Sequence, residues 1–213
     1  MSKTVLVINI GEEQQPLAKN LFQRGYKVYA VHHNDEYDEH PFEDVLVSSY
    51  HNINLIKNFI QNINIEGVLS DQCDYSNLAQ SKISEKLNLP THTFKSSVVS
   101  SNKDLQRYLA KLLGIKVPLF KILVDENDIR SMDIPYPVIV KPTSNRGSIG
   151  VTVANNSNEL LKSFKFARAN SLREEIIVEQ FIMGMEYTVD GYCFDGKPKS
   201  VSIARKMKIG VSS

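Results

Sequence analysis

Apolar runs and apolar stripes alternate along the N-terminal half of the chain. The runs TVLVINI, YKVYAV and GVLS predict three buried strands. Stripes at helical spacing follow them, formed by Leu17, Ala18, Leu21 and Phe22, then by Ile53, Ile56, Ile60 and Ile63, then by Ala79, Ile83 and Leu87. Strands that alternate with helices predict a parallel sheet, so residues 1–96 are expected to form a Rossmann-like α/β domain.

The pattern changes after the Ser/Thr-rich stretch THTFKSSVVSSN, which we interpret as a domain boundary. The segment NKDLQRYLAKLLG predicts a helix that Asn102 caps and Gly114 ends. Four predicted strands follow, VPLFKILV, YPVIVKP, IGVTVAN and EIIVEQFI, with the helix NELLKSFKFARA before the last of them. Asn156 and Glu159 are placed for a capping box at that helix. YTVDGYCFDGKPKSVSIA predicts a hairpin, which completes an α+β region over residues 97–213.

Composition narrows the class of protein. The chain has 42% hydrophobic and 23% charged residues, which is typical of globular proteins. A formal charge of +1 indicates no nucleic-acid or membrane partner. The N-terminal apolar run is too short for a signal peptide or a membrane span. Only Cys73 and Cys193 are present, so no disulfide framework or zinc spacing is indicated, and a cytoplasmic location is expected.

Three candidate binding motifs are rejected because the residues around them do not fit the proposed site. GYCFDGK matches the spacing of a phosphate-binding loop, but Pro198 follows it and the segment alternates as a hairpin does. No GxGxxG follows the first strand, which argues against a classical dinucleotide site. The run HHNDEYDEH lacks the fixed spacing of a metal site and is interpreted as a solvated loop.

One stretch combines a strand, a lysine and a glycine-containing loop. Val138, Ile139 and Val140 are typical of a buried strand, and Lys141 stands at its end. The loop SNRGSIG that follows is rich in backbone N–H groups and poor in bulk. An ammonium group beside such a loop suits a polyphosphate. Taken alone, Lys141 is better explained as a surface lysine at a strand end, and only the loop and the two downstream glutamates favour the phosphate site.

The ordered motifs around Lys141 resemble the ATP-grasp superfamily, which includes carbamoyl-phosphate synthetase, biotin carboxylase and D-alanine–D-alanine ligase. That family has a strand-end lysine, a flexible loop of small residues, and a strand ending in a glutamate, with a second glutamate seven residues later. The matching positions are Lys141, the loop SNRGSIG, Glu179, Gly184 and Glu186. Residues 1–96 resemble the domain that precedes the ATP-grasp fold, and NKDLQRYLAKLLGIKVP resembles its connecting helix.

The resemblance implies a domain plan and a cofactor. Residues 97–213 would hold the first part of an ATP-grasp domain, with a small lid subdomain over about 117–186 and the start of a second subdomain over 187–213. ATP and Mg²⁺ are the implied cofactors. Lys141 and Lys103 would contact the nucleotide phosphates. The loop N–H groups that would cover those phosphates belong to Arg146, Gly147, Ser148 and Ile149.

The same resemblance implies an adenosine site. Glu179 would accept a hydrogen bond from the adenine amino group, and the backbone of Gln180 and Phe181 would bond the ring edge. Glu186 would hold the ribose hydroxyls. Each glutamate has a plain alternative, since Glu179 can simply cap a strand and Glu186 can be a solvated hairpin residue.

Further polar residues are weaker candidates. Asp71, Cys73 and Asp74 follow the third predicted strand, at the sheet edge where α/β proteins gather ligands, and either touch the acceptor substrate or form an ordinary turn. The basic residues Arg205, Lys206 and Lys208 either face the phosphates or form a basic edge strand.

The implied activity is ATP-dependent ligation of a small-molecule carboxylate to an amine or another nucleophile through an acyl phosphate. The acidic and Asn residues that hold magnesium in the family do not appear before Ser213. The chain is therefore expected to be the N-terminal part of a longer enzyme, with its magnesium ligands beyond residue 213 and no turnover by itself. The alternative is a catalytically inactive nucleotide-sensing domain of the same fold. A homodimer is left open.

Overall fold

The computed structural model describes residues 3–38, 40–145 and 147–207. The strands are β1 (Thr4–Ile8), β2 (Lys27–His32), β3 (Asp44–Val47), β4 (Gly67–Leu69), β5 (Phe120–Leu123), β6 (Val138–Pro142), β7 (Thr152–Ala154), β8 (Ile176–Gln180), β9 (Tyr187–Phe194) and β10 (Lys197–Arg205). The α-helices are α1 (Gln15–Gln23), α2 (Ile53–Ile60), α3 (Asp74–Lys86), α4 (Phe94–Ser100), α5 (Lys103–Leu112) and α6 (Ser157–Ala169). Short 3₁₀ turns lie at Glu12–Gln14 and Glu126–Ser131.

The N-terminal strands form a parallel sheet in the order β3-β2-β1-β4, which confirms the predicted α/β class. The central strand β1 is covered on both faces, with Leu6 and Ile8 in one apolar cluster and Val5 and Val7 in the other. Burial on both faces explains why this strand reads as a continuous apolar run. The sequence analysis missed β3, because this edge strand is short and only partly buried.

The Ser/Thr-rich stretch, at which the sequence predicts a domain boundary, is partly helical. It contains α4, whose first turn is capped by the Thr93 side chain. The Ser97 hydroxyl donates to Ser81 Oγ of α3 at 2.9 Å, and both side chains are fully buried. Small hydroxyl side chains let α3 and α4 pack closely while each buried oxygen has a partner. A polar composition therefore forms a helix–helix contact here.

The C-terminal half contains an antiparallel sheet in the order β5-β8-β6-β7, with α6 packed on one face. Val138 and Val140 of β6 point into the core shared with α6. Ile139 and Lys141 alternate with them, so they lie on the opposite face of the sheet. This face is the one that carries the candidate site.

The caps at helix ends agree only in part with the prediction. Gly114 follows α5 with a φ of 72°, and the Asn156 side chain accepts from the Glu159 N–H at 3.0 Å, as expected. The Glu159 carboxylate bonds the backbone N–H of Asn155 instead of that of Asn156. Asn102 occupies the cap position of α5 without a capping bond, because its side chain bonds Val98 and Arg173.

Strands β9 and β10 pair as a hairpin about Asp195 and Gly196, both of which have positive φ, as the Asp-Gly turn predicts. Every residue of the two strands is exposed. Within the described ranges, no helix is long and apolar enough to cross a membrane. Cys73 is buried and Cys193 is exposed, and no disulfide joins the two.

Candidate functional site

A cavity of about 450 Å³ lies between the N-terminal unit and the antiparallel sheet. Its walls come from the ends of α3, α4 and α5, from β6, and from the loop that follows β6. Lys103 and Lys141 both line it, as do Gly147, Ser148 and Ile149 of the loop. The structure thus brings together most of the residues that were predicted to bind phosphates.

Lys141 belongs to a buried charge cluster with Glu179 and Arg107. The Glu179 side chain is 4% exposed and accepts from Lys141 Nζ at 2.5 Å and from Arg107 Nε at 2.7 Å. Strand register explains the first contact, because Ile139 of β6 lies opposite Glu179 of β8, which places Lys141 diagonally next to it on the same face. One carboxylate therefore serves two cations, and the cluster has a net positive charge.

Sequence reasoning missed Arg107. It lies on α5, one turn after Lys103, and spacing of i and i+4 places the two side chains on the same side of the helix. That spacing was visible in NKDLQRYLAKLLG, but the partner of Arg107 is 72 residues away in the sequence. Only the docking of α5 against β8 makes the contact.

Lys103 carries the second cation of the cavity. Its Nζ donates to the Asn145 carbonyl at 2.5 Å, and its backbone N–H donates to the Thr143 carbonyl at 2.9 Å. Burial, followed by repulsion from the Lys141 ammonium, lowers the pKa of Lys103, although Asp74, Glu179 and Asp104 oppose the shift. Two ammonium groups that repel each other at the wall of one cavity provide a site for an anion.

The loop after β6 has a backbone that only small residues tolerate well. Gly147, Ser148 and Gly150 have φ values of 62°, 59° and 76°. At Gly150 an added Cβ would lie 2.8 Å from Pro142 Cγ, so this position requires glycine. Successive residues with unusual φ turn N–H groups toward one side, as in anion-binding nests. Arg146, the remaining loop residue predicted to bind phosphate, lies outside the described residues.

The residues predicted to bind adenosine are placed as follows. Glu179 is engaged by Lys141 and Arg107, as described above. The N–H of Gln180 donates to the Leu119 carbonyl, and that of Phe181 donates to the Pro137 carbonyl. Glu186 lies at the base of the hairpin, where its carboxylate pairs with Lys206 at 2.8 Å and both side chains are about half exposed. The adenosine assignments remain predictions.

The structure places only some of the weaker candidates in the cavity. Asp74, the first residue of α3, lines the cavity and acts on Lys103, whereas Cys73 is buried and the Asp71 carbonyl accepts from Gln14. Lys206 pairs with Glu186, and Arg205 ends β10 in an exposed position, while Lys208 lies outside the described residues.

The run that starts at His32 is not wholly a solvated loop, and that interpretation was wrong for its first residue. His32 ends β2 and is 2% exposed. Its Nδ1 accepts from the Ile10 N–H and lies 3.3 Å from the Tyr50 hydroxyl. Across the described part of the chain, no group of three or more His, Cys, Asp or Glu side chains could hold a metal ion. The structure therefore offers no ligand set to which magnesium can be assigned.

Comparison with known proteins finds a matching family and similar structures. Residues 134–212 match the family model of the ATP-grasp domain. A D-alanine–D-alanine ligase of Campylobacter concisus is 33% identical over 106 residues, which are 49% of this chain and 29% of that ligase. The D-alanine–D-alanine ligase of Helicobacter pylori strain HPAG1 is 34% identical over 47% of this chain and 31% of its own length. The matches thus span about a third of these relatives.

Solved structures share the fold over nearly the whole chain. An L-amino acid ligase from Bacillus licheniformis superposes with a TM-score of 0.81 at 21% identity, covering 96% of this chain and 50% of that one. The N5-carboxyaminoimidazole synthetase of Staphylococcus aureus, solved with ADP, gives a TM-score of 0.79 at 17% identity, covering 98% and 56%. The chain spans about half the length of these proteins. Residues 134–212 of this chain therefore match the ATP-grasp domain, and the chain shares the fold of these solved structures.

Proposed function

We propose that this chain is the nucleotide-binding part of an ATP-dependent ligase that joins a carboxylate to an amine or another nucleophile. The observation that carries the proposal is the pair of lysine ammonium groups, from Lys103 and Lys141, that face one cavity beneath a glycine-containing loop. The proteins it resembles in sequence are described as D-alanine–D-alanine ligases, and one similar structure was solved with ADP.

The cluster around Glu179 suits a polyphosphate better than a small anion. ATP carries about four negative charges, and lysines act as compact point charges toward phosphates. Glu179 neutralises only part of the charge of Lys141 and Arg107, so a net positive potential remains at the cavity wall. Lys103 adds to it from α5. Burial and then repulsion from Lys141 lower the pKa of Lys103, and bound phosphates would offset both effects.

The proposed reaction has two displacement steps. A carboxylate oxygen attacks the γ-phosphorus of ATP while the bond to ADP breaks, which forms an acyl phosphate. The nucleophile then attacks the carbonyl carbon, inorganic phosphate leaves with the bonding electrons, and the proton of an amine is released. The contribution of Lys103 and Lys141 is to hold the phosphates and balance their charge, and the loop of Gly147 to Ile149 excludes water.

Several finer points of this proposal rest on the sequence alone. A magnesium cofactor remains a prediction, and no step is assigned to the metal. A cytoplasmic location and a homodimer remain predictions, although one similar biotin carboxylase domain is described as a dimer.

Calorimetric titration of ADP and ATP into this chain tests the proposal. We expect Lys141→Ala to weaken binding at least about tenfold, or about 1.4 kcal/mol, because it removes a phosphate partner from the cavity wall. The matched control is Lys165→Ala, since Lys165 pairs with Glu126 on the surface and is 58% exposed. Equal affinities of both variants and the parent would contradict a phosphate site at Lys141.

A further inference from the structure

Helix α5 is docked on the antiparallel sheet at two points. At its start, the Lys103 N–H donates to the carbonyl of Thr143, which follows β6, at 2.9 Å. Further along, the Tyr108 ring packs edge-on against the Phe120 ring of β5, with the ring centroids 5.1 Å apart. Arg107 lies between these two anchors, so the docking of the helix fixes where its side chain reaches the sheet.

Strand register brings the partner of Arg107 to the same place. Phe120 of β5 lies opposite Glu179 of β8, so the neighbour of Tyr108 on the helix arrives beside the Glu179 carboxylate. Arg107 Nε donates to Oε1 at 2.7 Å, and its Nη2 lies 3.5 Å from Oε2. Lys141 Nζ donates to Oε2 at 2.5 Å. The short contacts of the two cations therefore use different oxygens of one carboxylate.

Arg107 acts from outside the cavity that Lys103 and Lys141 line. Among the described residues, α5 contributes Lys103 and Gln106 to the cavity wall, but not Arg107. Lys141 lines the cavity and keeps 15% of its side chain exposed. An anion in this cavity thus meets Lys141 directly, and Arg107 influences it through Glu179.

The charge balance of the cluster depends on Arg107. A carboxylate with a single lysine forms a neutral pair, and Glu179 would then compete with a phosphate for the Lys141 ammonium. With Arg107 on Oε1, the carboxylate is shared and the two cations repel each other, which weakens the hold of Glu179 on Lys141. Because Glu179 is only 4% exposed, water screens these interactions weakly.

We propose that Arg107 is a positioning residue of the nucleotide site, which keeps the charge of Lys141 available to phosphates by engaging Glu179. The inference rests on the proposed function and adds to it a residue that lies outside the cavity wall. It separates two parts of the ligand, since the affinity for phosphate groups depends on Arg107 and the affinity for the nucleoside does not.

Calorimetric titration of ADP, inorganic pyrophosphate and adenosine at constant ionic strength tests the inference. Arg107→Gln leaves Glu179 paired with Lys141, so the chain should stay folded, which circular dichroism checks. We expect this variant to bind ADP and pyrophosphate at least about fivefold more weakly, and adenosine with less than about twofold change. Equal losses for all three ligands would show a general distortion of the site and overturn the proposal, as would unchanged pyrophosphate binding.

Two further variants separate the position of the charge from its presence. Arg107→Lys keeps a cation beside Glu179 and should restore ADP binding to within about threefold of the parent. Lys111→Gln is the matched control, because it removes an exposed cation one turn further along α5 and should change ADP affinity by less than about twofold. A loss in Arg107→Lys as large as that in Arg107→Gln, or an equal loss in Lys111→Gln, would overturn the proposal.

The same titrations distinguish this inference from the proposed function. If ADP and pyrophosphate bind equally to the parent and to Arg107→Gln, the positioning role is wrong and the nucleotide site stands. If pyrophosphate binding depends on Arg107 but ADP binds no more tightly than pyrophosphate, the proposed nucleotide site is wrong, while Arg107 still positions Lys141 in an anion site.

Discussion

At the scale of single residues, the central feature is a carboxylate that serves two cations. The sequence analysis placed Lys141 and Glu179 in one site but assigned Glu179 to adenine. In the structure its carboxylate is almost fully buried and bonds both Lys141 and Arg107. Arg107 and Lys141 keep part of their surfaces in solvent, at 28% and 15% exposure. Glu179 thus orients Lys141 toward the cavity and reduces the repulsion between the two cations.

Replacement of Glu179 by alanine should therefore destabilise the chain by about 2–3 kcal/mol, because two partly buried cations lose their partner. Urea denaturation followed by circular dichroism measures this change. The matched control is Glu126→Ala, which removes the carboxylate of a surface pair with Lys165 and should cost less than about 1 kcal/mol. Similar losses in the two variants would show that Glu179 has no special role in stability.

At the scale of elements, the two glycines of the loop between β6 and β7 have different structural roles. Gly147 and Gly150 both have positive φ, but their surroundings differ. Nothing lies within 4 Å of a Cβ built on Gly147, whereas one on Gly150 meets Pro142 and Asn170. Gly150 therefore anchors the loop against β6 and the end of α6, and Gly147 lies at its exposed tip.

Gly150→Ala should cost about 2 kcal/mol or more, since the added methyl group combines backbone strain with overlap against Pro142 and Asn170. Gly147→Ala should cost only about 1 kcal/mol, from backbone strain alone. Thermal and urea unfolding of both variants provide the comparison. A Gly147→Ala loss as large as that of Gly150→Ala would contradict the close approach of the loop to Pro142.

Elements that were missed or misread share one physical cause. Strand β3 has only four residues and lies at an edge, so its alternation is weak. Helix α4 consists largely of serine and valine, which have low helix propensity, and it is stabilised by its Thr93 cap and by the buried Ser97–Ser81 contact. In both cases tertiary contacts outweigh the local signal.

At the scale of the whole molecule, the two sheets differ sharply from the hairpin. Both sheets have buried apolar cores, whereas β9 and β10 pair only with each other and are exposed throughout. Large side chains such as Phe194, Val201 and Ile203 are at least 69% exposed. A hairpin without a packed face is marginally stable in water, so this chain contains regions of very different local stability.

Amide hydrogen exchange should reveal that difference. We expect the amides of β9 and β10 to exchange within minutes at neutral pH, because local opening of an unpacked hairpin costs little free energy. Amides of β1 and β8, whose residues are almost all buried, should be protected for much longer. The internal standard is the sheet formed by β5, β8, β6 and β7, whose strands also pair antiparallel but which has a buried apolar core. Protection of the hairpin equal to that sheet would contradict its unpacked state.

The sequence by itself determined the order of the strands and helices other than β3 and α4, the burial of β1 and β6, the hairpin turn, and the positions of Lys141 and Glu179 on their strands. These features follow from local periodicity and turn chemistry, which involve residues a few positions apart. Tertiary structure alone decided which distant residues meet. Glu179 contacts Lys141, 38 residues away, and Arg107, 72 residues away. Lys103 contacts Asn145, which is 42 residues away. Those contacts depend on how strands pair and how α5 docks, and no local pattern encodes that geometry.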